Sequence, residues 1–191
     1  DVVHSYRDLL RQSRSARRAG ERWARARYTP SFFALHLGLR GTFPDIPHHM
    51  ALFGPRYTEW LADIFDHGVL PKDFTLYLHH PSATDPSVAP EGHSVIQLLM
   101  TVPNLGRFPA DWNAVAPILE QRMLDALARV LPDARDRIVT KFRHTPRDHA
   151  ATLHAYLGSG FGPAPTLMQS GWRRVHNRDD GIGNLFFVGA G

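Results

Sequence analysis

Residues 31 to 39 read Ser-Phe-Phe-Ala-Leu-His-Leu-Gly-Leu, and this run constrains the fold more than any other. Phe33, Leu35, Leu37 and Leu39 alternate with Phe32, Ala34, His36 and Gly38. Successive side chains of a strand point to opposite faces, so a period of two predicts a β-strand here. Apolar groups occur in both series, which predicts a strand well buried on both sides. His93 to Val102 predicts a second long apolar strand. A chain carrying two such segments is built around a sheet.

The remaining segments supply partners and cover. His48 to Phe53, Phe74 to His80 and Ile138 to Phe142 read as further strands. Gly54-Pro55 opens a helix, with proline at the first helical position where its missing N–H costs nothing. Tyr57, Trp60, Leu61, Ile64 and Phe65 form its apolar stripe, and Gly68 ends it. Asp111 precedes an amphipathic helix with Val115, Leu119, Met123, Leu127, Val130 and Leu131 on one side. Pro117 must fall in its first turn or kink it. Thr145-Pro146-Arg147-Asp148 starts a short helix reaching about Tyr156, and residues 158–165 form a glycine-proline loop. Leu185 to Val188 reads as a last buried strand running into Gly189-Ala190-Gly191. Strands and helices follow one another without strict βαβ alternation, which predicts an α+β fold. The hydrophobic content of 43% supplies one sizeable core or two small ones.

Composition removes several function classes. The chain has no cysteine, so thiolate metal sites, disulfides and a cysteine nucleophile are excluded. No apolar run approaches the ~20 residues that span a bilayer, and no signal peptide is visible. The chain opens on Asp1 and stops on glycines, and both ends are expected to be cuts through a larger protein. Net charge is +4, but residues 1–27 alone carry eight Arg against three acids. Arg7, Arg11, Arg14, Arg18, Arg22 and Arg25 recur at steps of three and four, a basic stripe if one helix ran through them. Gly20 predicts a break between two helices instead. Such a stripe is either a solvated face or a contact for anionic lipid headgroups. Nucleic acid is not expected, because aromatic interleaving and a binding motif are both missing.

Twelve histidines raise the question of a metal. His48-His49 and His79-His80 lie in or beside strands, where neighbours diverge, so neither pair is expected to converge on one ion. No metal site is expected, since one needs three or four convergent ligands. Ser159 lies in a glycine-proline loop and not on a strand-to-helix elbow, so a serine hydrolase is not expected. The C-terminal segment is more informative. Trp172, Arg173, His176 and Asn177 precede Leu185-Phe186-Phe187-Val188-Gly189-Ala190-Gly191. Glycines after a strand let backbone N–H groups approach a phosphate or a ring edge.

At these residues the sequence resembles the bacterial-type phytoene desaturases, FAD-dependent carotenoid desaturases, in their C-terminal part. The resemblance extends to Leu35-His36-Leu37-Gly38-Leu39, His48-His49, Phe53-Gly54-Pro55-Arg56-Tyr57 and Leu76-Tyr77-Leu78-His79. It continues through Thr84-Asp85-Pro86-Ser87-Val88-Ala89-Pro90-Glu91-Gly92, Val102-Pro103-Asn104-Leu105-Gly106 and Thr145-Pro146-Arg147-Asp148. It implies a flavin amine oxidase-like fold. Residues 1–180 would be mainly a mixed-sheet substrate domain, and 181–191 would start the return to a Rossmann-like FAD domain. The Gly-x-Gly-x-x-Gly fingerprint of the adenine half does not occur, so the chain alone is expected to be inactive. The implied reaction is FAD-dependent desaturation of phytoene or a related carotenoid. A sibling carotenoid oxidoreductase or isomerase, or a non-catalytic lipid-binding module, are the alternatives. Val188, Gly189, Ala190, Gly191, Trp172, Arg173 and His176 would lie at the cofactor. Phe32, Phe33, Tyr77, Leu98 and Met100 would line an apolar substrate tunnel or serve as ordinary core. The catalytic base is unassigned. The implied location is cytoplasmic, peripheral to a membrane, with a homo-oligomer left open.

Overall fold

A computed structural model describes residues 1–189 of the chain. They divide into two compact units, residues 1–31 with 146–191 and residues 32–145. Residues 181–189 belong to the unit that contains the N-terminal segment.

The unit of residues 32–145 is built on a five-stranded sheet. Its strands are β1 (Ser31–Arg40), β2 (His49–Leu52), β3 (Leu76–His79), β4 (His93–Val102) and β5 (Ile138–His144), in the order β2-β3-β4-β1-β5. The sheet was expected to be mixed, but β1–β5, β2–β3 and β3–β4 pair antiparallel. Gly41 donates to the Gly92 carbonyl at 2.7 Å, joining the end of β1 to the start of β4 as an antiparallel pair requires. Alternation then sorts the side chains. Phe33, Leu35, Leu37 and Leu39, with Leu76, Leu78, Ile96, Leu98, Met100 and Val102, are buried in one cluster with Trp112, Leu119, Met123 and Leu127. Each such large side chain contributes about 1.5–3 kcal/mol when fully buried.

The four last-named residues belong to a helix that recurs at helical spacing along the sheet. The helices of this unit are numbered with the rest of the chain, after α1 (Val2–His4) and α2 (Arg14–Ala24): α3 (Tyr57–Ala62), α4 (Trp112–Leu127) and α5 (Ala134–Arg137). The Asp111 carboxylate caps α4 by accepting from the Asn113 N–H at 3.0 Å. Pro117 lies in its second turn and not its first, yet the helix continues. The carbonyl left without a donor belongs to exposed Asn113, where water can reach it. Helix α3 begins at Tyr57, two residues after Pro55, and its π-helical continuation ends at Gly68 in the left-handed region (φ +67°).

The unit of residues 1–31 and 146–191 holds α1, which continues as a π-helical turn (Ser5–Leu9), then α2 and α6 (Pro146–Thr152). The break in the N-terminal helix falls between Leu9 and Arg14, where the Ser13 hydroxyl caps α2, and not at Gly20. Gly20 sits inside α2 because a Cβ there would meet Arg7 Cγ at 2.9 Å and Tyr6 Cβ at 3.2 Å. Absence of a side chain serves close packing here, not a bend. Val3, Tyr6, Ala16, Trp23 and Tyr28 form the core, with Tyr156, Val175, Ile182, Leu185 and Phe187 against it. The buried strand expected at Leu185–Val188 is not formed. The segment makes a single bridge, Arg178 with Phe186, and Val188 is 95% exposed. A strand needs a partner edge along its length, and among the described residues only 177–179 offers one, through Phe187 N–H to Asn177 O and Asp179 N–H to Leu185 O.

Candidate functional site

Within the unit of residues 1–31 and 146–191, α2 and the C-terminal segment enclose a cleft of about 720 Å³. Arg22, Trp23 and Arg25 stand on the helical side, and Trp172, Arg173, Arg174, His176 and Arg178 on the other. Helical spacing puts Arg22 and Arg25 three residues apart on one face of α2. The lining is strongly cationic, with Asp179 and Asp180 as its acids. The Arg173 guanidinium lies 4.9 Å above the ring of Trp172, which is 77% exposed. A cation over an indole face is held there by the ring quadrupole. The exposed stack presents a flat, charged surface.

The cleft is fixed by hydrogen bonds that also set its charge. His176 donates Nε2–H to the Trp172 carbonyl (2.8 Å) and faces Asp180 with Nδ1 (3.2 Å). Both nitrogens meet acceptors, so the carbonyl first and the carboxylate second raise its pKa and favour the imidazolium. Asp179 accepts from the Tyr6 hydroxyl and from the N–H groups of Gly181 (2.8 Å) and Ile182 (2.7 Å). Burial alone would raise the Asp179 pKa, but these donors hold it below the usual carboxylate range. Burial, then the bond to Asp179, push the Tyr6 phenol well above its ordinary value, so it stays a donor.

Of the residues expected at a cofactor, Trp172, Arg173 and His176 line this cleft. Val188 and Gly189 are not in its lining; they lie exposed at the end of the described chain, and Gly189 has open space where a Cβ would sit. Ala190 and Gly191 lie outside the described residues. The basic stripe is also rearranged by the break before α2. Arg7, Arg11, Arg17, Arg18, Arg22 and Arg25 line one depression of about 800 Å³ with Glu21, and Arg14 is not among them. Arg7 pairs there with Glu21 at 2.8 Å.

The five residues expected to line a tunnel do not share a surface. Phe33, Leu98 and Met100 are fully buried on the face that packs with α4, so they are core. Phe32 and Tyr77 belong to the opposite face, one residue out of phase. That face carries Phe142, 58% exposed, and Tyr77, 37% exposed, with Val95 and Leu99 half-buried. His36 stacks on Phe142 with ring centroids 4.3 Å apart, and its pKa is lowered by burial and then by neighbouring His144. The face is apolar and aromatic, with histidines as its polar groups.

The histidines depart from expectation. His79 and His80 do diverge: His80 is buried and donates to the Ile46 carbonyl at 2.9 Å. His48 and His49 do not, because His48 precedes β2 and is not bound by strand alternation. Their rings lie 4.3 Å apart, and His79 joins them. The ligand atoms of His48, His49 and His79 all fall within 4.8 Å of one another. Desolvation first, then His49, His79 and His80, lower the His48 pKa and favour its neutral form. The signal for this cluster was cross-strand register, which pairs His49 with His79 and is invisible in either dipeptide alone.

No family model matches the sequence. Curated proteins do match it from end to end. The chain is 44% identical over 192 residues to a phytoene desaturase (lycopene-forming) of Paracoccus sp. (strain N81106 / MBIC 01143), covering all of this chain and 38% of that protein. It is equally similar, 44% over 192 residues, to the phytoene desaturase (lycopene-forming) of Pantoea ananas, covering 39% of it. The phytoene desaturase (neurosporene-forming) of Cereibacter sphaeroides is 37% identical over 195 residues, again across the whole chain and 38% of the relative. The chain thus spans about two fifths of the length of these relatives.

Proposed function

We propose that the chain, which matches phytoene desaturases over its whole length, is part of such an enzyme and serves FAD-dependent desaturation of phytoene or a related carotenoid in carotenoid biosynthesis. The observation that carries this reading is the 44% identity along all of the chain to proteins named for that reaction. Desaturation removes a hydride from one carbon and a proton from its neighbour, leaving a double bond. A flavin, when bound, supplies the hydride acceptor.

The chain's own residues are assigned as follows. The cleft's side chains suit one end of such a cofactor: guanidinium, imidazole and indole groups fit a flat ring whose reduced form is anionic. Arg173, stacked on Trp172, would supply positive charge to such an anion, and the Trp172 carbonyl and Asp180 raise the His176 pKa and so favour its imidazolium. A pyrophosphate cradle of the Gly-x-Gly-x-x-Gly kind does not occur in the sequence, so only the ring edge is assigned to this chain. The open sheet face, with Tyr77, Leu99 and Phe142, offers an apolar bed for a polyene that has no polar handle. Among the described residues no helix is long and apolar enough to cross a membrane. We assign the arginine-lined depression to anionic lipid headgroups, which would bring the protein to a membrane-dissolved substrate. A sibling reaction on another carotenoid is the second reading, favoured by relatives whose names carry different products.

The test uses a hybrid in which these 191 residues replace the matching segment of the Pantoea ananas protein. Under anaerobic conditions phytoene should bleach the flavin of the hybrid in a single turnover. Arg173→Gln should slow bleaching about tenfold, equivalent to about 1.4 kcal/mol of barrier, with flavin content and melting temperature retained. Unchanged bleaching in Arg173→Gln would remove Arg173 from the site. Joint loss of flavin and stability would make it a structural residue.

A further inference from the structure

At the β2 edge of the sheet, on the same face as Tyr77, stands a histidine cluster. We propose that His48, His49 and His79 bind a divalent transition-metal ion of the zinc class. This inference rests neither on the family nor on a flavin.

The cluster is built by register. His49 and His79 are direct partners across β2 and β3, and Gln97 on β4 is the next partner of His79. His48 is held against the same strand because His80 N–H donates to the His48 carbonyl at 2.7 Å. The backbone at all three positions is therefore held by hydrogen bonds.

The ring nitrogens are oriented as ligands are. His48 Nδ1 lies 2.5 Å from Thr84 Oγ1, and His79 Nδ1 lies 3.5 Å from Gln97 Oε1. Each oxygen can accept the Nδ1 proton, which leaves the Nε2 lone pair free. The two Nε2 atoms then face each other at 2.9 Å. Two lone pairs so placed repel unless an ion or a proton lies between them. An oxygen acceptor on the far nitrogen is the usual support of a metal-binding histidine. His49 Nδ1 lies 2.7 Å from the Tyr77 hydroxyl, which can accept the Nδ1 proton and so free Nε2 in the same way. A hydrogen bond between His48 and His79 would explain their contact alone. The third ring stacks on His79 at 5.1 Å between centroids, as direct cross-strand partners do.

The dimensions suit the ion. Zn–N bonds of about 2.0–2.1 Å in a tetrahedron set ligand nitrogens about 3.3 Å apart. The 2.9 Å contact must open slightly and the widest separation, at most 4.8 Å, must close. His49 is exposed, so its ring is free to make that movement. Three neutral imidazoles without carboxylate or thiolate select Zn²⁺, Cu²⁺ or Ni²⁺ over Mg²⁺ or Ca²⁺. The exposed side leaves a fourth position for water.

The test takes the untagged chain, stripped with a chelator, and titrates Zn²⁺ in competition with a chromogenic chelator. Co²⁺ absorption in parallel reports a tetrahedral site. One ion per chain is expected. His49→Ala and His79→Ala should each abolish that stoichiometric phase, and Gln97→Ala should weaken it about 10-fold. His67→Ala, which removes a histidine outside the cluster, should leave it intact. Zn²⁺ should raise the melting temperature of the wild type and not of His49→Ala; circular dichroism of the variants without metal checks that each is folded. Binding equal in the wild type and in the His49→Ala/His79→Ala double variant would overturn the proposal, as would no stoichiometric phase in the wild type.

Discussion

Glu120 shows how a single residue of this chain carries a stability cost and its remedy. It lies on α4 with its side chain only 8% exposed, and it receives Lys141 Nζ at 2.5 Å and Arg143 Nη1 at 3.0 Å. Register places both cations on the core-side face of β5, opposite Leu37 and Leu35. Burial would raise the Glu120 pKa, but the two cations outweigh it and hold the group below the usual glutamate range. A depressed carboxylate stabilises the fold above its unfolded value of about 4.3, and that stability is lost as pH falls through the lower folded value. Glu120→Gln is expected to cost about 1–2 kcal/mol at pH 7, since both cations are partly solvated. Urea melts at a series of pH values should show the difference between wild type and variant shrinking below about pH 4.3. A difference that persists unchanged at pH 3 would contradict the pairing. At this scale the sequence was legible only locally. Trp172, Arg173 and His176 stood out because they are within five residues of each other. Arg22 and Arg25, which face them across the cleft, read only as part of a helical stripe. Nothing in a local pattern couples residues about 150 positions apart.

Among the elements, strands were read more surely than the joints between them. β4 occupies the expected span of His93–Val102, and β1 extends one residue beyond the expected one, to Arg40, because strict alternation leaves no helical alternative. The same period separates Phe32 from Phe33, since adjacent strand residues cannot share a face, and of the two roles open to them Phe33 takes that of core. The glycines were ambiguous for a physical reason. Gly20 was read as a helix break, but its use is contact with Tyr6 and Arg7. Gly158 lies in the left-handed region (φ +61°), and a Cβ there would come within 2.2 Å of the Pro146 carbonyl oxygen. It also accepts the Ser31 hydroxyl bond, which ties the start of β1 to this turn. Gly158→Ala combines backbone strain with a clash and is expected to destabilise by about 1–3 kcal/mol. Gly92, also at positive φ (+70°) but with nothing within 4 Å, isolates the backbone cost alone. Thermal melts of the two alanine variants should therefore rank Gly158 as the costlier. Equal melting temperatures would mean that the chain near Pro146 yields without cost.

On the scale of the molecule, the α+β class follows from two long apolar strands and one amphipathic helix; these form, but the helix ends at Leu127 and leaves Val130 and Leu131 of the expected stripe beyond it. What periodicity did not supply was the pairing of distant segments. Residues 146–189 pack with residues 1–31, and this joins a helix and a loop-rich tail that look independent in one dimension. The expected last strand failed for the complementary reason, because a strand is defined by a partner and not by its own residues. From the likeness to phytoene desaturases we propose that a carotenoid lies on the sheet face of Tyr77 and Phe142 and is desaturated there. It is tested by expressing the Pantoea ananas hybrid in a bacterium that accumulates phytoene and separating the extracted carotenoids by chromatography. Phytoene should be consumed and conjugated, coloured products should appear. Tyr77→Asp and Phe142→Asp, which place a charge on the apolar face, should each cut conversion about tenfold or more while the hybrid stays folded and loaded with flavin. A folded, flavin-loaded hybrid that leaves phytoene untouched would contradict the assignment, and full conversion by both aspartate variants would remove the sheet face from it.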